Sequence, residues 1–289
     1  MRAKVRDTEI YFDVEGAGLV ADGDRMRERP VAFIIHGGPG NDHSDMKPSL
    51  GPLSDTMQLI FFDHRGQGRS ARGDVAKYNI DENVEDMEAL RLHLGLGPVV
   101  SIGPSYGGMV AMAHAARYPK SVSHLVLCVT AAHAGFMPRA RQIVAERGTA
   151  EQKAVCDQLF AGALDTVDKV HRYYEVMGPL YAMKHNPAEA KAGRERGIVS
   201  PEALNRAFAP GGFLTSYDLR PELKNIIAPT LIIAGRHDWI CAPEFSEEIH
   251  RLIPGSDLRI FEESSHSLRV DEPERLIDAI AGFVVDQRR

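Results

Sequence analysis

Short apolar runs bounded by glycine, proline or aspartate alternate along this chain with stretches of helical period. The runs cover residues 10–14, 31–36 (VAFIIH), 59–63 (LIFFD), 99–103 (VVSIG) and 125–129 (LVLCV), and then, far downstream, 230–234 (TLIIA) and 258–261 (LRIF). Rich in Val, Ile, Leu and Phe and lacking polar alternation, they predict strands buried on both faces, as in a parallel sheet. Helical pattern over 79–94, 106–118, 243–252 and 273–285 supplies the crossovers. The fold class is therefore α/β, a doubly wound, mostly parallel sheet with its chemistry in loops at the carboxyl ends of the strands.

One stretch breaks the alternation. Residues 131–221 show no strand pattern, only helical pattern over 139–147, 150–163, 168–183 and 201–207. Roughly ninety residues between two strands of one sheet are too many for a connection. They read as a helical cap domain, 131–221, inserted into a core domain made of 1–130 and 222–289.

Composition narrows the function classes. A net charge of -6 argues against nucleic acid as a partner. Residues 1–10 are charged and alternating, unlike the apolar centre of a secretory signal, and no run of about 18 apolar residues would serve a membrane. The three cysteines, Cys128, Cys156 and Cys241, are odd in number and lack paired spacing. The expectation is a cytoplasmic protein with reduced thiols and no membrane partner.

The strongest motif is Gly103-Pro104-Ser105-Tyr106-Gly107-Gly108, directly after VVSIG and directly before the helix pattern MVAMAHAARY. This is G-x-S-x-G at a strand–turn–helix corner, the context in which a sharp turn exposes a serine hydroxyl as nucleophile. Gly103 and Gly107 are small because strand and helix backbones approach there. A tetrahedral intermediate needs two N–H donors at its oxygen. The Tyr106 N–H is one, and Gly38 in His36-Gly37-Gly38-Pro39-Gly40 is the other, since a Cβ there would crowd the substrate carbonyl. His36 reads as a brace for that loop.

Twelve histidines are present, so position must choose the base. His266 follows the last expected strand and precedes the C-terminal helix, on the catalytic edge. Asp238 ends TLIIAGRHD between the serine and that histidine, where the orienting acid belongs. The segment Asp63-His64-Arg65-Gly66-Gln67-Gly68-Arg69-Ser70 has neither the lysine of a phosphate loop nor a second carboxylate for a metal. It reads as structural, an Asp–Arg pair fixing a tight turn. No metal and no cofactor is expected.

Together HGGPG (36–40), DHRGQGRS (63–70), GPSYGG (103–108), GRHDWICAP (235–243) and SSHS (264–267) resemble the α/β-hydrolase superfamily, and within it the proline iminopeptidase group. The resemblance implies an α/β-hydrolase fold with an inserted helical cap. It also implies cleavage of an N-terminal residue, often proline, through an acyl-enzyme. Such enzymes hold the free amine with cap glutamates, one in an N-G-P-N-E-F-like stretch. Here the corresponding segment is Ala209-Pro210-Gly211-Gly212-Phe213, with Gly212 where that glutamate would stand, and Trp239 follows Asp238 where some relatives carry a second acid.

An ammonium buried without an anionic partner costs several kcal/mol to desolvate. Glu175, after Tyr173 and Tyr174 in a cap helix, is the substitute on offer. Trp239, Phe213, Tyr173 and Tyr174 are candidates to line an apolar acyl pocket. The reading is a serine hydrolase of a small amide, ester or lactone, acting on a small-molecule or short-peptide substrate. A carboxylesterase or lactonase without aminopeptidase activity is the alternative. A non-catalytic binding protein on the same scaffold is a remote one, because Ser105, Asp238 and His266 are all present.

Overall fold

Along each buried run, successive side chains point to opposite faces of the sheet, and both faces find an apolar partner. In the computed structural model, which describes residues 1–286, Phe33 and Ile35 join one core with Phe62, Leu127 and Ile232, while Ala32 and Ile34 join a second with Phe61, Val126 and Ile233. Burial on both faces is why these runs carry no polar alternation.

The strands are β1 (Arg2–Val5), β2 (Thr8–Glu15), β3 (Leu19–Asp22), β4 (Arg25–Glu28), β5 (Val31–Ile35), β6 (Gln58–Phe62), β7 (Val99–Pro104), β8 (Val122–Cys128), β9 (Thr230–Gly235) and β10 (Asp257–Phe261). Eight of them form one sheet in the order β1-β2-β6-β5-β7-β8-β9-β10. From β6 to β10 every pairing is parallel, and β1 and β2 add antiparallel at one edge. Helices Ile80–His93, Tyr106–Arg117 and Pro243–Leu252 cover the first core, and helix Pro273–Asp286 covers the second. The sheet is doubly wound, as the alternation predicts.

The elements that the pattern does not predict are the polar ones. Strand β1 packs at the sheet edge, and β3 and β4 form a separate hairpin, mostly exposed, turning at Gly23 with φ 63°. No apolar run announces a strand that is wet on both faces.

Between β8 and β9 lie helices Phe136–Arg147, Ala150–Phe160, Val167–Tyr181, Pro187–Arg196 and Pro201–Phe208. The fourth has only Gly193 buried and so shows no apolar stripe to read. The base of this insertion is closed by a short antiparallel bridge. Ala134 N–H donates to the Tyr217 carbonyl and Leu219 N–H to that of Ala132, both at 2.8 Å.

Two further ties hold the insertion over the carboxyl ends of the strands. On one side Ser200 N–H donates to the Gly40 carbonyl at 2.7 Å and Ile198 N–H to Asp42 Oδ2 at 3.0 Å. On the other, Ser267 N–H donates to the Tyr181 carbonyl at 2.7 Å and Ser265 Oγ to that of Leu180 at 2.6 Å. Among the described residues no helix is long and apolar enough to cross a membrane.

Candidate active site

Strand β7 ends in the turn that carries Ser105. Its backbone sits at φ 54°, ψ -124°, a conformation that L residues rarely adopt and that the surroundings must enforce. Ser105 N–H donates to the Cys128 carbonyl at 2.9 Å, and the Ser105 carbonyl accepts from Gly108 N–H at 2.9 Å and Thr130 Oγ1 at 2.8 Å. The glycines make the sharp turn possible. A Cβ on Gly103 would run into the Gly107 carbonyl, and one on Gly107 into the carbonyl oxygen of Ile35. Tyr106 is the first residue of its helix, so its N–H has no intrahelical acceptor and sits at the positive end of the helix dipole.

The loop 36–40 folds against this turn. Gly37 is the residue pressed on Ser105, since a Cβ there would lie 3.4 Å from Ser105 Cβ and 3.3 Å from the Pro104 carbonyl oxygen. Gly38 has φ 116°, and a Cβ on it would meet the Gly40 nitrogen at 2.9 Å. The loop's own turn thus already requires glycine at 38. Both glycines line the cavity described below.

His36 braces the loop as expected. Its Nε2 accepts the His64 N–H at 3.1 Å, so the proton resides on Nδ1, which donates to the Gly37 carbonyl at 2.8 Å. Gln67 Oε1 accepts the Gly40 N–H at 2.6 Å. The segment 63–70 is structural, but its salt bridges differ from the expected Asp–Arg pair. Asp63 accepts from the His43 ring at 2.7 Å, the His43 N–H at 2.9 Å and the Arg69 backbone N–H at 2.7 Å. The Arg69 guanidinium goes to Asp42, and that of Arg65 to Asp86. Burial pulls the pKa of the His64 ring well below its ordinary value, and His36 adds to the shift, so it is a neutral ring packed on Tyr106.

His266 and Asp238, the expected base and acid, are in contact. His266 Nδ1–H donates to Asp238 Oδ2 at 2.8 Å. The other carboxylate oxygen of Asp238 accepts the N–H groups of Ile240 at 2.9 Å and Cys241 at 3.0 Å. Asp238 is 2% exposed, so this hydrogen-bonded cage is what keeps its charge acceptable there. With Nδ1 carrying the proton, His266 Nε2 is left as the free acceptor.

Ser105, Tyr106, Gly38 and His266 line one cavity of about 460 Å³ between the strand ends and the helical insertion. Its inner wall is apolar, with Met109, Phe136, Leu159, Leu204 and Phe208. Tyr173 lines it as expected, with Tyr174 and Tyr181 beside it, and the Tyr173 and Tyr181 hydroxyls bond to each other at 2.9 Å. Tyr181 also packs edge-on to the His266 ring, centroids 5.5 Å apart.

Three expected substrate-binding residues lie elsewhere. Trp239 is buried behind the wall against Tyr181, and Phe213 packs behind Tyr106. Glu175 is on the solvent face of its helix, paired with Arg172 at 2.9 Å. The helix turns by about 100° per residue, which carries position 175 away from the side that Tyr173 faces. Among the described residues no group of three or more His, Cys, Asp or Glu could hold a metal ion.

The family model described as "alpha/beta hydrolase fold" matches residues 30–273. A proline iminopeptidase of Pestalotiopsis fici is 29% identical over 279 residues, covering 93% of this chain and 97% of the relative. Among solved structures, the proline iminopeptidase of Mycobacterium smegmatis superposes with a TM-score of 0.78 at 22% identity, over 99% of this chain and 97% of the other. The enol-lactonase of Burkholderia xenovorans LB400 does so with 0.74 at 23% identity, over 99% and 100%. The match runs from the first parallel strand to the last helix through every loop that builds this cavity, so the chain belongs to the alpha/beta hydrolase fold family and is a hydrolytic enzyme resembling proline iminopeptidases.

Proposed function

We propose that the protein is a serine hydrolase that cleaves a small amide, ester or lactone through an acyl-enzyme. The observation that carries this reading is the His266–Asp238 hydrogen bond on the wall of the cavity that Ser105 also lines. His266 Nε2 takes the Ser105 proton as the hydroxyl attacks the substrate carbonyl. The N–H groups of Tyr106 and Gly38 hold the oxyanion that forms. His266 then returns the proton to the leaving group, and water releases the acyl group by the same route. Asp238 fixes the imidazole tautomer and stabilises the imidazolium.

Within this chemistry, relatives named proline iminopeptidase favour a peptidase or amidase. The outward-facing Glu175 and the glycine at 212 favour an esterase or lactonase, because neither position offers a carboxylate to a substrate amine. The three cysteines are unpaired and buried, which fits the reducing cytoplasm. Ser105→Ala tests the reading. It should abolish labelling by a fluorophosphonate and lower kcat by several orders of magnitude with an unchanged melting temperature. An unaltered rate would end the proposal. Proline p-nitroanilide, p-nitrophenyl butyrate and an acyl lactone, compared on the native protein, separate the two substrate classes.

A further inference from the structure

The helix Pro187–Arg196 spans two points where the insertion is tied to the core, Lys184 N–H on Asp271 at 2.8 Å before it and Ile198 N–H on Asp42 at 3.0 Å after it. It contributes Glu189, Arg194 and Arg196 to the cavity wall. Besides the imidazoles of His185 and His266, the wall carries three further charged side chains, Asp42, Asp45 and Arg269.

Most of these charges already have partners. Asp42 accepts from Arg69, from Ser44 Oγ at 2.6 Å and from Ile198 N–H. Asp45 pairs with Arg269. Glu189 sits in the first helical turn and accepts from the N-cap residue Asn186 at 3.0 Å, where a carboxylate suits the helix dipole. The guanidiniums of Arg194 and Arg196 have no hydrogen bond or ion pair among the described residues. Arg196 stands near the Asp45–Arg269 pair, since a Cβ on Gly193 would lie 3.1 Å from Asp45 Oδ1 and 3.7 Å from an Arg196 nitrogen. Arg194 has the Glu195 carboxylate within electrostatic range, but that carboxylate pairs with Lys191.

Its neighbour on the wall is His185. Burial, and then the Arg194 charge, lower that ring from its ordinary value, so it is a neutral hydrogen-bonding group beside the guanidinium. A last helical turn favours cations, but that preference is met as well by arginines facing solvent. Here Arg196 is exposed and Arg194 half-buried, and both border the cavity.

We propose that Arg194, assisted by Arg196 and His185, binds a carboxylate carried by the substrate remote from the scissile carbonyl. The enzyme then takes esters, amides or lactones whose acyl part ends in an anion. A guanidinium forks onto a carboxylate through two parallel N–H bonds, which gives orientation as well as attraction. This inference rests on the serine hydrolase reading and names the substrate class for that same site.

The test compares p-nitrophenyl hydrogen adipate and hydrogen suberate with the uncharged p-nitrophenyl hexanoate and octanoate. The acid-tailed esters should show kcat/KM higher by about tenfold, the effect of one charge-assisted hydrogen bond. That ratio should shrink as salt is raised. Arg194→Gln should remove it by lowering kcat/KM for the acid-tailed esters about tenfold more than for the hexanoate and octanoate esters. Equal or better hydrolysis of the uncharged esters, or a ratio that survives Arg194→Gln, overturns the proposal. Ser105-dependent hexanoate turnover keeps the hydrolase reading standing in either case. Binding is read without turnover by the shift in melting temperature that adipate monoamide, against the uncharged hexanamide, gives the Ser105→Ala protein. An equal or larger shift with hexanamide would overturn the anion site.

Discussion

Asp271 accepts the backbone N–H of Ser265 at 2.9 Å through one carboxylate oxygen and the backbone N–H of Lys184 at 2.8 Å through the other. It is 0% exposed. One buried carboxylate therefore joins the residue before His266 to the chain leaving the helix Val167–Tyr181. Lys184 closes the link by donating its ammonium to the Asp271 carbonyl at 2.6 Å. The imidazole is positioned by the insertion as well as by Asp238.

Asp271→Asn should reveal this. The amide keeps one acceptor oxygen and turns a donor toward an N–H, which costs about 1–3 kcal/mol for a buried unpaired group. If the carboxylate positions His266, kcat for p-nitrophenyl butyrate falls while KM stays near native. If it serves stability alone, the melting temperature drops and kcat per folded molecule is preserved.

Acid stability should depend on a second buried carboxylate, remote from the cavity. Glu88 accepts from Arg91 at 2.6 and 2.9 Å, from the His114 ring at 2.9 Å and from Ser121 Oγ at 3.1 Å. Burial alone would raise its pKa, but the hydrogen bonds from Arg91 and His114 outweigh it and hold it at about 2 against an ordinary 4.5. A carboxyl lowered by folding stabilises fully above its unfolded value and loses that contribution as pH falls from about 4.5 toward 2. The difference is at most ~3 kcal/mol. Glu88→Gln should therefore lower stability at neutral pH and flatten the loss on acidification, as read by urea unfolding across that range.

The sequence makes the parallel strands and the Ser105 turn legible because both depend on local pattern, an apolar run buried on two faces and a glycine-flanked serine between strand and helix. Asp238 and His266 follow from their places at strand ends. What stays hidden depends on orientation. Tyr173, Met177 and Tyr181 lie four residues apart and define the inward face of their helix, and reading them together would have put Glu175 on the other side. The helix Pro187–Arg196 is hidden for a different reason. It buries almost nothing, so its role lies in the charges it presents, and no hydrophobic period marks it. Asp271 reads as a solvated acid, because the four-residue helix Leu268–Asp271 that it ends is too short to show a pattern.

Two glycines should respond in opposite directions to alanine. At Gly107 the added carbon would overlap the Ile35 carbonyl oxygen, backbone that cannot swing aside. Gly107→Ala should cost more than about 3 kcal/mol and strip activity by moving the Ser105 turn. Gly282 lies in the final helix with nothing within 4 Å of a would-be Cβ. There alanine should add roughly 0.5–1 kcal/mol by its helix propensity alone. Denaturant midpoints of the two variants check both signs.

Asp238→Asn separates the tautomer role of Asp238 from its packing role. Both its oxygens are engaged, one by the His266 ring and the other by the N–H groups of Ile240 and Cys241. Asp238→Asn can satisfy one side only. With its oxygen on the two backbone donors, the amide turns an NH₂ toward Nδ1, which must then become the acceptor and move the ring proton to Nε2. A ring protonated at Nε2 cannot take the Ser105 proton. The fold should persist, with a melting temperature within a few degrees of native, while kcat falls by about 10⁴. Because the fault lies in the proton's position, raising the pH should recover part of the rate as hydroxide takes over the base's task. Loss of folding together with activity would instead make Asp238 a structural residue.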